Sequence, residues 1–327
     1  MSCLTKIVMS ILCSISSVNF CHADIEKVAC FDLIDHNNFD VNQIQSSLKK
    51  YARNPFGWSA LNYAIEMRDF KAALIIATHC ENIHQRDPYM KGSTQKITAL
   101  ERLLFHARVK QGPKINPSDE EIQIAYILLG RGIDVTGGPE VFSPLITACY
   151  FNIEDLIVRF IEMGVDANVS EGYSLYLSIE NGNLNMAKYL IANGANPKIK
   201  TMYKFMNAAI NSQKLESIDF VIDQGLDFSD SHYVRHAFNF VQDESKNIDN
   251  CFNHSFPALE MLSYILEKGA NPNSWIPKEG LNSTNYERAL DLCPLWLALD
   301  LPSVTNAQYF YKSYIVKILL DHGASIP

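Results

Sequence analysis

The chain has 327 residues, 47% of them hydrophobic and 20% charged, which is ample for a sizeable core and excludes a disordered chain. Its formal net charge of −8 argues against nucleic acid as the main partner. The same charge is compatible with a basic protein partner, or with solubility alone.

The segment from Met1 to Ala23, MSCLTKIVMSILCSISSVNFCHA, differs from the rest. It holds one charge, Lys6, and an apolar run from Ile7 to Val18, and it ends in Cys-His-Ala. This pattern predicts a secretory signal peptide cleaved after Ala23, and so an exported, periplasmic chain. An uncleaved anchor is the alternative, although the run is short and interrupted by serine. Cleavage removes Cys3, Cys13 and Cys21 and leaves Cys30, Cys80, Cys149, Cys251 and Cys293. An oxidising compartment favours disulfides among these five, with one thiol left over. None falls into a CxxC or Cys/His ligand spacing, so neither a metal nor another cofactor is expected.

Further on, the chain repeats. Glycines at 132, 164, 194, 225, 269 and 323 each follow an apolar pattern of helical period and precede a segment such as Val165-Asp166-Ala167-Asn168. The first four of these glycines are evenly spaced, at roughly thirty residues, and that regularity is the mark of a stacked repeat. Each glycine suits the left-handed residue that closes a helix. Twelve residues upstream, at Asn152, Gly182 and Gln213, a turn is expected between two helices. The helix before that turn carries small residues, Ala148 and Cys149 or Ala208 and Ala209, which let neighbours approach closely. Pro144 suits a first helical turn. Ser118 followed by Glu121 predicts a capping box.

Ser143-Pro144-Leu145-Ile146-Thr147-Ala148 resembles the Thr-Pro-Leu-His-x-Ala opening of an ankyrin repeat, and Gly164-Val165-Asp166-Ala167-Asn168 resembles its close. Further openings stand at Ser59-Ala60-Leu61, with Cys80 at the marker position, at Thr98-Ala99-Leu100 and at Cys293-Pro294-Leu295. The openings at Tyr173 and Lys204 are degenerate. The resemblance implies an all-α ankyrin-repeat solenoid of stacked helix-turn-helix pairs with hairpin-like connections. One domain over residues 24–327 is expected: a cap at 24–56, then about seven repeats over 57–327. Longer gaps place insertions near 108–119, 241–256, 274–288 and 301–309, which either project and bind or have drifted as loops.

On this alignment Cys30 and Cys80 fall at comparable ends of neighbouring helix pairs, which suggests a disulfide. Cys251 and Cys293 form a second candidate pair, although they fall at opposite ends of their helices. Cys149 is expected to be a buried free thiol.

There is no Gly-x-Ser-x-Gly, P-loop, Gly-x-Gly-x-x-Gly or His-Glu-x-x-His motif, and an enzyme is not expected. His232 and His236 are four apart, as helix-borne metal ligands would be, but they stand at a repeat opening where a capping histidine is ordinary. The resemblance implies a protein-binding module that uses hairpin tips and exposed first-helix positions. The first-helix candidates are Tyr63, Glu66, Met67, Tyr150, Phe151 and Glu180. The tips add Tyr89, Met90, Tyr203, Tyr233 and Trp275. Export and the missing chemistry together suggest an immunity protein that binds one secreted toxin, for example a lipase delivered by a type VI secretion system. The alternatives are an envelope scaffold or stress-protection protein and a secreted host-directed effector. A monomer is expected when the chain is alone.

Overall fold

The computed structural model describes residues 56–79, 83–110, 116–136, 143–198, 203–226, 233–246, 248, 256–273, 293–301 and 303–326. The predicted signal peptide, the cap before Phe56, Cys30, Cys80, Cys251, Trp275 and the side chain of Tyr203 lie outside the described residues. Fourteen helices and one two-stranded hairpin are found among them. The chain divides into two compact units, Met1–Thr147 and Ala148–Pro327.

The first unit contains α1 (Ala60–Glu66), α2 (Phe70–His79), α3 (Ala99–Lys110) and α4 (Asp119–Gly130). Helix α1 packs on α2 and α3, and α4 packs on α2 and α3. Between α2 and α3, β1 (Asp87–Pro88) pairs antiparallel with β2 (Lys96–Ile97). The Ser118 side chain accepts from the Glu121 amide while Glu121 reaches back to the Ser118 amide, so the expected capping box starts α4.

Helix α5 (Pro144–Tyr150) spans the division between the units. The second unit then runs through α6 (Glu154–Glu162), α7 (Val169–Glu180), α8 (Leu184–Ala192), α9 (Tyr203–Asn211) and α10 (Leu215–Asp223). It closes with α11 (Tyr233–Ser245), α12 (Pro257–Glu267), α13 (Pro294–Asp300) and α14 (Asn306–Asp321). The first helices of successive pairs pack in series, α7 on α9, α9 on α11 and α11 on α13. Each also packs on its own second helix, as α7 does on α8 and α9 on α10. Helix α7 proper starts at Tyr173, after a left-handed run at Ser170, Glu171 and Gly172. This succession of helix pairs is an all-α ankyrin-repeat solenoid architecture.

The turns obey the repeat. Asn152 and Gln213 sit at φ 55° and 53°, and Arg68, at the matching place in the first unit, at 57°. At the close of α6 the Gly164 amide donates to Ile161 O and the Val165 amide to Phe160 O. The same pair of bonds recurs at Gly132, Gly194, Gly269 and Gly323. A Cβ on Gly164 would meet nothing within 4 Å, so its φ of 86° alone demands glycine.

The core lies between first and second helices. Leu156, Ile157, Phe160, Leu175, Leu190, Met206 and Leu262 are fully enclosed or nearly so, each contributing about 1.5–3 kcal/mol relative to exposure. Ala148, Cys149, Ala208 and Ala209 are buried, as close helix approach requires. Cys149 is a free thiol, and burial pushes its pKa up to about 12. Cys293 is also a free, buried thiol. Its sulfur caps α13, accepting from the Trp296 amide at 3.4 Å, in place of the disulfide considered for it.

Parts of the insertions serve as packing. Glu244, in the 241–256 insertion, accepts from the first amides of α12, Ala258 N and Leu259 N, each at 3.3 Å. It also accepts from the hydroxyl of Tyr311, which is 4% exposed. Burial, reinforced by that carboxylate, raises the Tyr311 pKa. The 301–309 insertion extends α14 to 16 residues, against 9 in α6, α8 and α10.

Candidate functional site: the first-helix face and the hairpin

In the second unit a row of side chains crosses three first helices. Tyr176 and Glu180 stand four apart on α7, Asn211 ends α9 and His236 lies in the first turn of α11. Tyr176 OH donates to Glu180 Oε1 at 3.0 Å, and Asn211 Nδ2 donates to the same oxygen at 2.9 Å. Asn211 Oδ1 lies 2.8 Å from His236 Nε2, which suits a neutral ring protonated on Nε2. Burial lowers the His236 pKa, favouring that neutral ring. Burial first, and Glu180 next, raise the Tyr176 pKa. The Tyr173 ring, 41% exposed, stacks on Tyr176 with centroids 5.3 Å apart. Phe240 meets the His236 ring edge-on at 5.9 Å.

This row is half-buried, aromatic and polar, and its one carboxylate is held in a fixed orientation by neutral donors. Such a group suits a partner's ammonium or guanidinium, with the tyrosine faces as cation-π surfaces. The candidates named from sequence include Glu180 and Tyr150, weigh His236 only as a metal ligand, and omit Tyr173, Tyr176 and Asn211. Period could have found Asn211, since Tyr150, Glu180 and Asn211 follow one another at the same interval as the closing glycines.

The remaining candidates divide by burial. Tyr150 is half-buried, with its ring 5.0 Å from Phe151, edge to face. Phe151 is 9% exposed and Tyr233 4%, so both serve the core rather than an exposed tip or face. Phe151 follows α5 directly and Tyr233 opens α11, and packing takes both rings inward.

In the first unit, Met67 and Met90 are 57% and 59% exposed. Tyr63 and Tyr89 are half-buried, Tyr63 against Phe56 at 5.8 Å and Tyr89 edge-on to Phe105 at 5.2 Å. Glu66 belongs to a network centred on Arg102, whose side chain is 0% exposed. Arg102 donates from Nε to Asn62 Oδ1 at 3.0 Å and from Nη1 to Glu66 Oε2 at 2.9 Å. It also binds the hairpin, from Nη1 to Tyr89 O at 3.1 Å and from Nη2 to Pro88 O at 2.7 Å. Its guanidinium lies 4.0 Å over the Trp58 ring. Burial lowers the Arg102 pKa, and Glu66 opposes that shift.

Asp87 completes the anchor. Its Oδ2 accepts from Ser59 N, Ser59 Oγ and Asn62 Nδ2, each at 2.8 Å. Arg86 bridges Glu101 at 3.0 Å and Asp134 at 2.8 Å. The hydrogen bond from Arg86 is the chief reason that the Asp134 pKa is held down at about 2. Burial raises the Glu101 pKa, against the bonds from Thr98 and Arg86. The tip carrying Tyr89 and Met90 is therefore fixed by a buried charge.

His236 is the described member of the His232 and His236 pair, and its Nε2 is engaged by Asn211. No group of three His, Cys, Asp or Glu placed to hold a metal is found among the described residues. No described helix is long and apolar enough to cross a membrane.

No protein-family model matches the chain. A putative ankyrin repeat protein, R598 of Acanthamoeba polyphaga mimivirus, is 29% identical over 126 residues, which cover 38% of this chain and 35% of that protein. The match thus spans about a third of the relative's length. Among solved structures, the human ASB11 ankyrin repeat domain aligns at a TM-score of 0.48 and 15% identity, covering 84% of this chain and 99% of that one. An ankyrin repeat domain from Acinetobacter baumannii AYE aligns at 0.30 and 18%, covering 81% and 98%. The helix pairs, the recurrent glycine closes and the opening motifs give this chain an ankyrin-repeat architecture. It has the build of a helical-repeat scaffold that presents side chains from successive first helices.

Proposed function

We propose that the chain is a non-catalytic protein-binding module whose ligand is one protein. The observation that carries this reading is the row Tyr173, Tyr176, Glu180, Asn211 and His236. It presents two stacked aromatic rings and one oriented carboxylate across consecutive repeats. Aromatic side chains are enriched among the anchors of protein interfaces, and an oriented carboxylate adds a site for a cation. The finer reading is an immunity protein, exported to the periplasm, that binds and inhibits a secreted toxin through a basic segment. The signal-like segment from Met1 to Ala23 and the net charge of −8 support it.

The test is recovery of the chain from Asp24, tagged at its C-terminus, from the periplasm at high salt. One stoichiometric partner, toxic when sent to the periplasm alone and released by Glu180→Lys, is the expected result. A chain that stays free, with no neighbouring gene product neutralised, would sink the toxin reading. A partner retained equally well by Glu180→Lys and Tyr173→Ala would move the binding site off this row.

A further inference from the structure

Glu180 is the last residue of α7, and Asn211, which bonds to it, is the last residue of α9. The C-terminal end of a helix carries partial negative charge, so an anion is disfavoured there and a cation is stabilised. No ion pair to Glu180 is found among the described residues, and its hydrogen bonds come from neutral groups. Residues 148–327 hold 21 acidic side chains against 13 basic ones, so the whole net charge of −8 lies in the second unit. The Glu180 carboxylate is thus an anion in an acidic setting without a counter-ion, and a ligand's cation would supply one.

The bonds that Glu180 already makes decide which cation fits. A carboxylate oxygen offers about two lone-pair sites. Both internal donors go to the same oxygen, Tyr176 OH to Oε1 at 3.0 Å and Asn211 Nδ2 to Oε1 at 2.9 Å. Oε1 is therefore filled, while Oε2 accepts no hydrogen bond among the described residues. Neither donor is free to leave. The Asn211 amide is held in that sense by His236, whose Nε2 lies 2.8 Å from Asn211 Oδ1. Burial, with Glu180 next, raises the Tyr176 pKa and keeps its hydroxyl a donor. The parallel fork of a guanidinium needs both oxygens of a carboxylate. An ammonium is a compact charge that is satisfied by one. The Tyr173 ring, 41% exposed and stacked on Tyr176, offers a π face to either cation, so the carboxylate is what discriminates. We infer that the row, by filling Oε1 internally, selects a lysine side chain of the partner over an arginine, with the ammonium on Glu180 Oε2. The inference rests on the row being the partner-binding site and narrows the basic segment proposed above to one that presents lysine.

The test titrates two probe peptides into the chain, acetyl-Gly-Gly-Lys-Gly-Gly-amide and its arginine counterpart, and follows the tyrosine ring signals by NMR. Circular dichroism shows that each variant keeps its fold. The lysine peptide should bind about threefold or more tighter than the arginine peptide, and Glu180→Gln should abolish the difference. Tyr176→Phe keeps the ring stack and frees one site on Oε1, so it should tighten arginine binding relative to lysine. Asn211→Ala should do the same through the other donor. A lysine preference that neither variant narrows overturns the inference. So does an arginine peptide that binds as tightly as the lysine peptide and is lost in Glu180→Gln, although the row then stands as a binding site. If neither peptide binds, or both bind regardless of Glu180→Gln, the inference fails together with the row, and the periplasmic recovery alone decides whether the chain has a protein partner.

Discussion

The two units hold the connections between their repeats by opposite means. In the first, the tip is bound to the helices by a fully buried arginine that gives two donors to the backbone at Pro88 and Tyr89. In the second, neutral amides serve instead. Asn168 Nδ2 donates to Gly194 O at 2.9 Å, and its Oδ1 accepts from Asn196 N at 2.7 Å. Asn273 repeats this on Gly323 O and Ser325 N, each at 2.8 Å. An amide has both a donor and an acceptor and carries no charge, so it costs little to place and can recur with every repeat. A buried guanidinium requires a carboxylate, an amide and a ring around it, so it is built once and is costly to disturb. The second unit's connections are therefore modular, while the first unit's hairpin depends on one residue.

The largest break in that contrast should come from Arg102→Ala. Removing the cation takes from Glu66 its arginine partner, leaving it His106, and frees the Pro88 and Tyr89 carbonyls. The loss should be about 3–5 kcal/mol in urea unfolding, with faster tryptic cleavage at Lys91 and Lys96. A loss under about 1 kcal/mol would mean that the hairpin does not rest on the arginine. Next, Asn168→Ala should cost about 1–2 kcal/mol, since three hydrogen bonds near the surface are lost. Asn273→Ala should match it, and a large disparity would end the claim of modularity. Gly164→Ala should cost about 1 kcal/mol for its left-handed backbone alone.

The smallest effect lies at the rim of the arginine network. The Asp134 pKa is lowered in the folded state to about 2, so its pairing with Arg86 contributes stability above about pH 4. That contribution fades as pH falls through about 2. Asp134 is substantially exposed, so its share is under about 1 kcal/mol. Asp134→Asn should lower the thermal midpoint slightly at pH 7 and by less at pH 2. Equal losses at both values would show that packing, not charge, is at stake.

Much of this fold was legible because a repeat states its rule several times. Gly164, Gly194 and Gly269 mark helix closes by a backbone conformation that few residues tolerate. Asn152 and Gln213 mark turns at a fixed distance before them. The capping box at Ser118 and Glu121 was equally plain, since its bonds are local. Burial was less legible. Tyr233 and Phe151 look like surface anchors in the sequence and are packed inside, because exposure at a repeat edge depends on how neighbouring segments pack. Glu66 and Glu180 were found as acidic positions, but their partners Arg102 and Asn211 stand 36 and 31 residues away.

The period, the helix pairs and the places where they close can all be read from the chain, because each follows from local chemistry within about ten residues of a glycine. Which of the exposed-looking residues form a site is settled by folding alone. The Tyr176, Glu180, Asn211 and His236 row joins three helices, and the Arg102 cluster draws on α1, α3 and the hairpin between α2 and α3. Such groupings depend on how successive repeats stack, and stacking is set by side-chain packing between segments about thirty residues apart.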